Sequence, residues 1–175
     1  MSDRQRSALL RRFIRNRRAT TSIEFGLLAA PFMALSFAIL QTAIIFFAGQ
    51  VLETAAATSA RLILTGQAQT QGWSAAQFKQ QVCDSITGLF NCQTGVYIDV
   101  ENYATFADAN LSSPVTSGNL NTSAMNYNPG GAGDVVMVRL YYPFPVFMNF
   151  LSDLSGGFNL LAATAIFKNE PYASS

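Results

Sequence analysis

One ionisable side chain stands where its type and surroundings demand a reason. Glu24 opens an apolar run from Phe25 to Gly49 that holds no Asp, Glu, Lys or Arg, and only Ser36, Gln41 and Thr42 as polar side chains. A carboxylate bordering such a run is costly to desolvate, and ionisable groups in that position usually pair, recognise or relay. Other chemistry is scarce. The chain contains no His, which excludes histidine-based triads and most metal centres. No nucleophile has a plausible base beside it, and Asp99 and Glu101, on one face of a predicted strand, read as a solvated edge. Cys83 and Cys92 are the only thiols; without His they cannot complete an ordinary zinc shell, and one bridge is their simplest use in a translocated domain. Closing so small a loop would contribute about 2–3 kcal/mol in the chain-entropy account. The residues therefore point to binding and assembly, not to an enzyme, and they call for no cofactor and no small-molecule substrate.

The element that must position Glu24 is a helix. From Phe25 to Gly49 it would rise about 37 Å, enough to cross a bilayer's hydrocarbon core with some tilt. Pro31 falls inside it, freeing a carbonyl and permitting a kink. The net charge of +1 hides an asymmetry: residues 1–19 carry seven Arg against Asp3, a balance of +6, and residues 20–175 balance at −5. Arg11, Arg12, Arg15, Arg17 and Arg18 beside a span anchor the N-terminus on the cytoplasmic side and put the remainder across the membrane. A nucleic-acid role for the arm is set aside, because basic residues are expected next to a span. The arm reads equally as an interfacial helix or as a solvated tail. Its Arg pairs also look like twin-arginine export signals, but a pair alone discriminates poorly. The apolar run exceeds the roughly 7–15 residues of a secretory signal core, although the small residues Ala55 to Ala60 could pass for a signal-peptidase site.

Beyond Gly49 the same helix is expected to continue to about Thr65, since Val51, Leu52, Ala55, Ala56, Ala60 and Ile63 recur at helical spacing, with Gly66 as its stop. Its second half is rich in small residues, which allow close helix approach. A second helix is expected from Ser74, as N-cap, to about Phe90, with Phe78, Val82, Ile86, Leu89 and Phe90 as its apolar stripe. Strands follow over Val96 to Tyr103, Asp134 to Tyr142 (ended by Pro143 and Pro145) and Leu160 to Lys168, forming a small antiparallel sheet on the helices. Residues 107–133 form a long tract of Ser, Thr, Asn, Gly and Pro, in which Pro129 to Gly133 reads as turn chemistry and not as a phosphate loop. The aromatic segment from Tyr141 to Leu154 reads first as core, second as a partner-facing patch. The fold class is α+β.

Residues Arg17-Arg18-Ala19-Thr20-Thr21-Ser22-Ile23-Glu24-Phe25 resemble the start of TadE-like (TadE/TadG) proteins of the tight-adherence (Tad/Flp) pilus system: a basic arm, a short neutral stretch, Glu-Phe and a span. Ala60-Arg61 matches the Ala-Arg pair that ends the family's Ala-rich helix, and the similarity is best over residues 15–66. Phe78-Lys79, Val82-Cys83, Cys92 and the Asp134-to-Tyr142 strand are similar to longer members. The resemblance implies a pilin-like architecture in four parts: arm or leader 1–19, membrane helix 20–49, its periplasmic continuation 50–66, and a small α+β periplasmic domain 67–175. It implies cleavage by a prepilin peptidase between Ala19 and Thr20, where family pseudopilins carry Gly in place of Ala19. Glu24 would then neutralise a neighbouring subunit's terminal amine and set its register; in an uncut chain it would pair with Arg17 or Arg18 and favour the helix dipole. The implied function is a minor pilin or pseudopilin in the inner membrane and periplasm, with other pilins and Tad assembly proteins as partners. An uncleaved membrane-anchored scaffold is the second reading. The third is an exported soluble protein released after residue 57 or 60.

Overall fold

The computed structural model describes residues 20–86, 91–110, 112, 114–116, 119–145 and 159–172. The chain divides into two compact units between Ile44 and Ile45. The first unit contains the start of helix α1 (Thr20–Leu64), with Pro31 inside it. Its large apolar side chains face outward: Phe25 is 73% exposed, and Leu27, Leu28, Phe32, Leu35 and Ile39 are similarly open.

The second unit is built on the remaining turns of α1. Ala48, Leu52, Ala55, Ala56, Ala60 and Ile63 are buried along one stripe, while Gln50, Glu53, Thr54, Thr58 and Arg61 are exposed. Most of the stripe is alanine, and it shares one core with Val136, Val138, Leu140 and Ala163 of the sheet. Ser59, also buried, donates to the Ala55 carbonyl at 2.6 Å, which satisfies its hydroxyl within the helix. Packing on the domain begins at Ile45 and Ala48, several residues before the apolar run ends in the sequence.

The expected helix stop is found at Gly66, with φ 76°. A short helix α2 (Gln67–Thr70) precedes α3 (Ala75–Ser85), whose start is a reciprocal capping box: Ser74 Oγ accepts from Gln77 N, and Ser74 N donates to Gln77 Oε1 at 2.8 Å. Helix α3 ends at Ser85, short of the expected Phe90. Ile86 is already extended and residues 87–90 are outside the described set. The Cys83–Cys92 disulfide joins the last turn of α3 to α4 (Cys92–Gly95), which leads into β1.

Strands β1 (Tyr97–Tyr103), β4 (Val135–Phe144) and β5 (Asn159–Lys168) form an antiparallel sheet with β4 in the centre; β2 (Val115–Thr116) and β3 (Asn119–Leu120) pair separately. Pro143 does not end β4, as the sequence reading expected, but lies within it opposite Leu160. Among the described residues, pairing with β1 stops at Tyr141, so Pro143 lies beyond the β1 ladder and its missing N–H breaks no bond to β1. The core joins Leu52, Ile63, Phe78, Val82, Val96, Val100, Val136, Val138, Leu140 and Ala163. Of the aromatic segment, residues 146–154 are outside the described set; Tyr141, Tyr142 and Phe144 are buried.

The end of α1 is held twice. Glu170 N donates to the Leu64 carbonyl at 3.0 Å, and a Cβ built on Gly66 would lie 2.5 Å from the Tyr172 ring. Gly66→Ala should therefore lower stability by about 2 kcal/mol or more, from backbone strain and overpacking together. Adding Tyr172→Ala should relieve the packing share alone; urea midpoints of the single and double variants in detergent measure both.

Candidate functional site

Glu24 lies one turn into α1, exposed, within the outward apolar face. Among the described residues none pairs with it. Thr20 is the first helical residue. Ala19 and the anchor arginines Arg11, Arg12, Arg15, Arg17 and Arg18 lie outside the described residues, so the expected Glu24–Arg pairing does as well. Between Ser22 and Leu64 the helix is long and apolar enough to cross a membrane. Ser36 and Thr42 each return their hydroxyl to the carbonyl four residues back, at 2.9 Å, so neither needs water there.

The structure corrects one reading outright. Asp99 is not on a solvated edge; it is 2% exposed. Arg139, 8% exposed on the neighbouring strand, donates Nε to Asp99 Oδ2 at 2.9 Å and reaches the same oxygen with a second N–H. Asn126 N donates to Asp99 Oδ1 at 2.8 Å, so both carboxylate oxygens are engaged. Arg139 also contacts Glu101 at 3.3 Å and donates Nη1 to the carbonyls of Asn110 and Ser112. Burial opposes the guanidinium's charge, but the hydrogen bonds and charge of Asp99 outweigh it and raise its pKa. The arrangement is structural: it ties the long Ser/Thr/Asn tract to the sheet at both Ser112 and Asn126. A lone Arg inside an otherwise apolar strand, Val135 to Tyr142, was the available signal, because a buried guanidinium requires an acid across the ladder.

Two open grooves flank β1. One, of about 450 Å³, is lined by Glu101, Asn102, Tyr103, Asn126, Tyr127 and Asn128; the other, about 270 Å³, includes Lys79, Tyr97, Ile98, Met125 and Tyr127. Burial pushes the Tyr127 hydroxyl up to about 12 and lowers Lys79. Neither groove pairs a nucleophile with a base.

Residues 19–61 match the family model of TadE-like proteins. Over this stretch the chain is similar to TadE-like proteins. The match begins at Ala19, includes Glu24 and the outward apolar face, and closes at Arg61, inside the last turn of α1. No curated protein and no solved structure matches the chain.

The Asp99–Arg139 pair supplies a stability test. Arg139→Met leaves a buried carboxylate without its cation and should cost about 3–5 kcal/mol, whereas Arg139→Met with Asp99→Leu should recover most of that loss. Chemical denaturation of the two variants beside the parent protein reads the difference.

Proposed function

We propose that this chain is a minor pilin or pseudopilin of a Tad-type pilus, held in the inner membrane by the first half of α1 with its α+β domain in the periplasm. The observation that carries the reading is the coincidence of three features on residues 19–61: the TadE-like match, an outward apolar helical face, and Glu24 at its start. Such a face needs lipid or other helices, and a carboxylate within it needs a positive partner. After cleavage between Ala19 and Thr20, the new amine would begin the helix one turn before Glu24. A neighbouring subunit displaced along the helix axis would then bring its amine to that carboxylate, where low-dielectric surroundings strengthen the attraction.

The uncleaved scaffold uses the same helix as a permanent anchor, with Glu24 paired to Arg17 or Arg18. The exported soluble product is physically disfavoured. Cutting after Ala57 or Ala60 would strip Ala48, Leu52, Ala55 and Ala56 from the core, with a loss comparable to removing several buried side chains at once.

Intact mass and N-terminal sequence of the membrane-extracted protein separate the three. Thr20 as first residue is the expected result; Met1 or Ser2 identifies the scaffold, and Thr58 or Arg61 the exported form. Glu24→Ala should abolish pilus assembly while leaving membrane insertion intact, and pili at parental levels would contradict the pilin role.

A further inference from the structure

The two edges of the three-stranded sheet are not alike. Along β1, Val100 N donates to the Asn126 carbonyl and Asn128 N donates to the Val100 carbonyl, both at 2.8 Å, so Asn126 to Asn128 cover the middle of that edge. The other edge is β5, ten residues from Asn159 to Lys168, about 33 Å long. Between 159 and 167 it holds no Asp, Glu, Lys, Arg or Pro, and its register on β4 runs without a bulge. Native edge strands are usually short, charged, bulged, broken by proline or covered, because open backbone groups accept another strand.

The register fixes which groups of β5 are open. Val100 spends its N–H and C=O on Asn126 and Asn128, away from β4, so its partner Val138 turns its own pair toward β5. There Val138 meets Ala165. Ala165 and every second residue from it therefore bond to β4, and Asn169 N, in the same alternation, bonds the Asp134 carbonyl. Leu160, Ala162, Thr164, Ile166 and Lys168 direct their N–H and C=O to the other side. Among the described residues none of these outward groups has a partner; the next in line, Glu170 N, is taken by the Leu64 carbonyl. Ala162, Thr164 and Lys168 are exposed, and Leu160 and Ile166 half-buried.

We propose that the outer edge of β5 pairs antiparallel with β5 of a second copy of this chain, about a two-fold axis at Thr164, so that two three-stranded sheets join into one. The open groups are centred on Thr164, and that axis sets Leu160 against Lys168, Ala162 against Ile166 and Thr164 against itself, so each open N–H and C=O meets its counterpart. Side chains agree with the pairing. Small Ala162 faces the larger Ile166, Leu161 faces Phe167, and the two Thr164 hydroxyls can bond each other. Each Lys168 lies opposite Leu160, and the two lysines stand roughly 27 Å apart along the strands, so no like charges meet. A stretch without charge from 159 to 167 offers nothing to select a partner by charge, whereas its own copy fits it throughout. Nothing in this pairing requires α1 to be embedded or cleaved.

Cysteine mapping tests it. The full chain in detergent micelles carries Ala162→Cys, Thr164→Cys or Lys168→Cys singly. Its own two cysteines are bridged to each other, so mild oxidation links copies through the introduced thiol. Only at Thr164 do the two Cα atoms stand about 5.5 Å apart, within disulfide reach; at Ala162 the separation is roughly 14 Å and at Lys168 roughly 27 Å. Thr164→Cys is therefore expected to give a covalent dimer several-fold more than either of the others. Thr164→Lys sets like charges opposite each other at the axis and should weaken the parent dimer at least tenfold by sedimentation, with the urea midpoint unchanged. Equal linking at all three positions, no linking at Thr164, or a dimer unweakened by Thr164→Lys overturns the pairing. If Thr164→Lys fails to fold, the cysteine map decides alone. The N-terminal residue of the membrane-extracted chain reads the pilin proposal separately, so the two can fail independently.

Discussion

The constraint behind this structure is an apolar surface that the chain does not bury by itself. From Ile23 to Phe47, α1 directs large side chains outward, and exposed area of that kind would cost about 25 cal/mol per Å² in water. Something other than water must cover it. The same helix solves two solvation problems in sequence. Its early turns carry Leu, Phe and Ile for a non-aqueous neighbour, and its later turns bury mostly Ala, with Leu52, Ser59 and Ile63, in the domain. Hydroxyls in both halves return to their own helix carbonyls, so those side chains need no water at either depth.

The domain holds the later turns in place. Glu170 and Tyr172 close over the end of α1, Gly66 leaves the room they need, and the disulfide fixes α3 to the approach to β1. Inside the sheet, Asp99 and Arg139 anchor a tract that has little regular structure of its own. Their bonds to Asn110, Ser112 and Asn126 add to the backbone bonds that Val100 exchanges with Asn126 and Asn128.

Much of this was legible in the sequence, for identifiable reasons. The long helix, its stop at Gly66, the Ser74 cap and the antiparallel strands follow from period, capping chemistry and alternation. The TadE-like resemblance at residues 17–25 and 60–61 agrees with the family match over 19–61. Three features were not legible. Pro143 was read as a terminator because pairing partners cannot be seen from one strand; the β1 ladder ends at Tyr141, while β5 still pairs at Leu160. Asp99 was read as solvated because alternation puts it opposite Val100, and only the register with Arg139 reveals a buried partner. Helix α3 ends at Ser85, two residues past the Cys83–Cys92 bridge, a tertiary link that the apolar stripe through Phe90 does not encode.

The central claim is that α1 is embedded, and the most direct measurement is the fate of the full-length chain when isolated membranes are washed at alkaline pH in carbonate. The account predicts that the protein stays in the membrane pellet and leaves only with detergent. Recovery of the intact chain, beginning at Met1 or Thr20, in the detergent-free supernatant would contradict it.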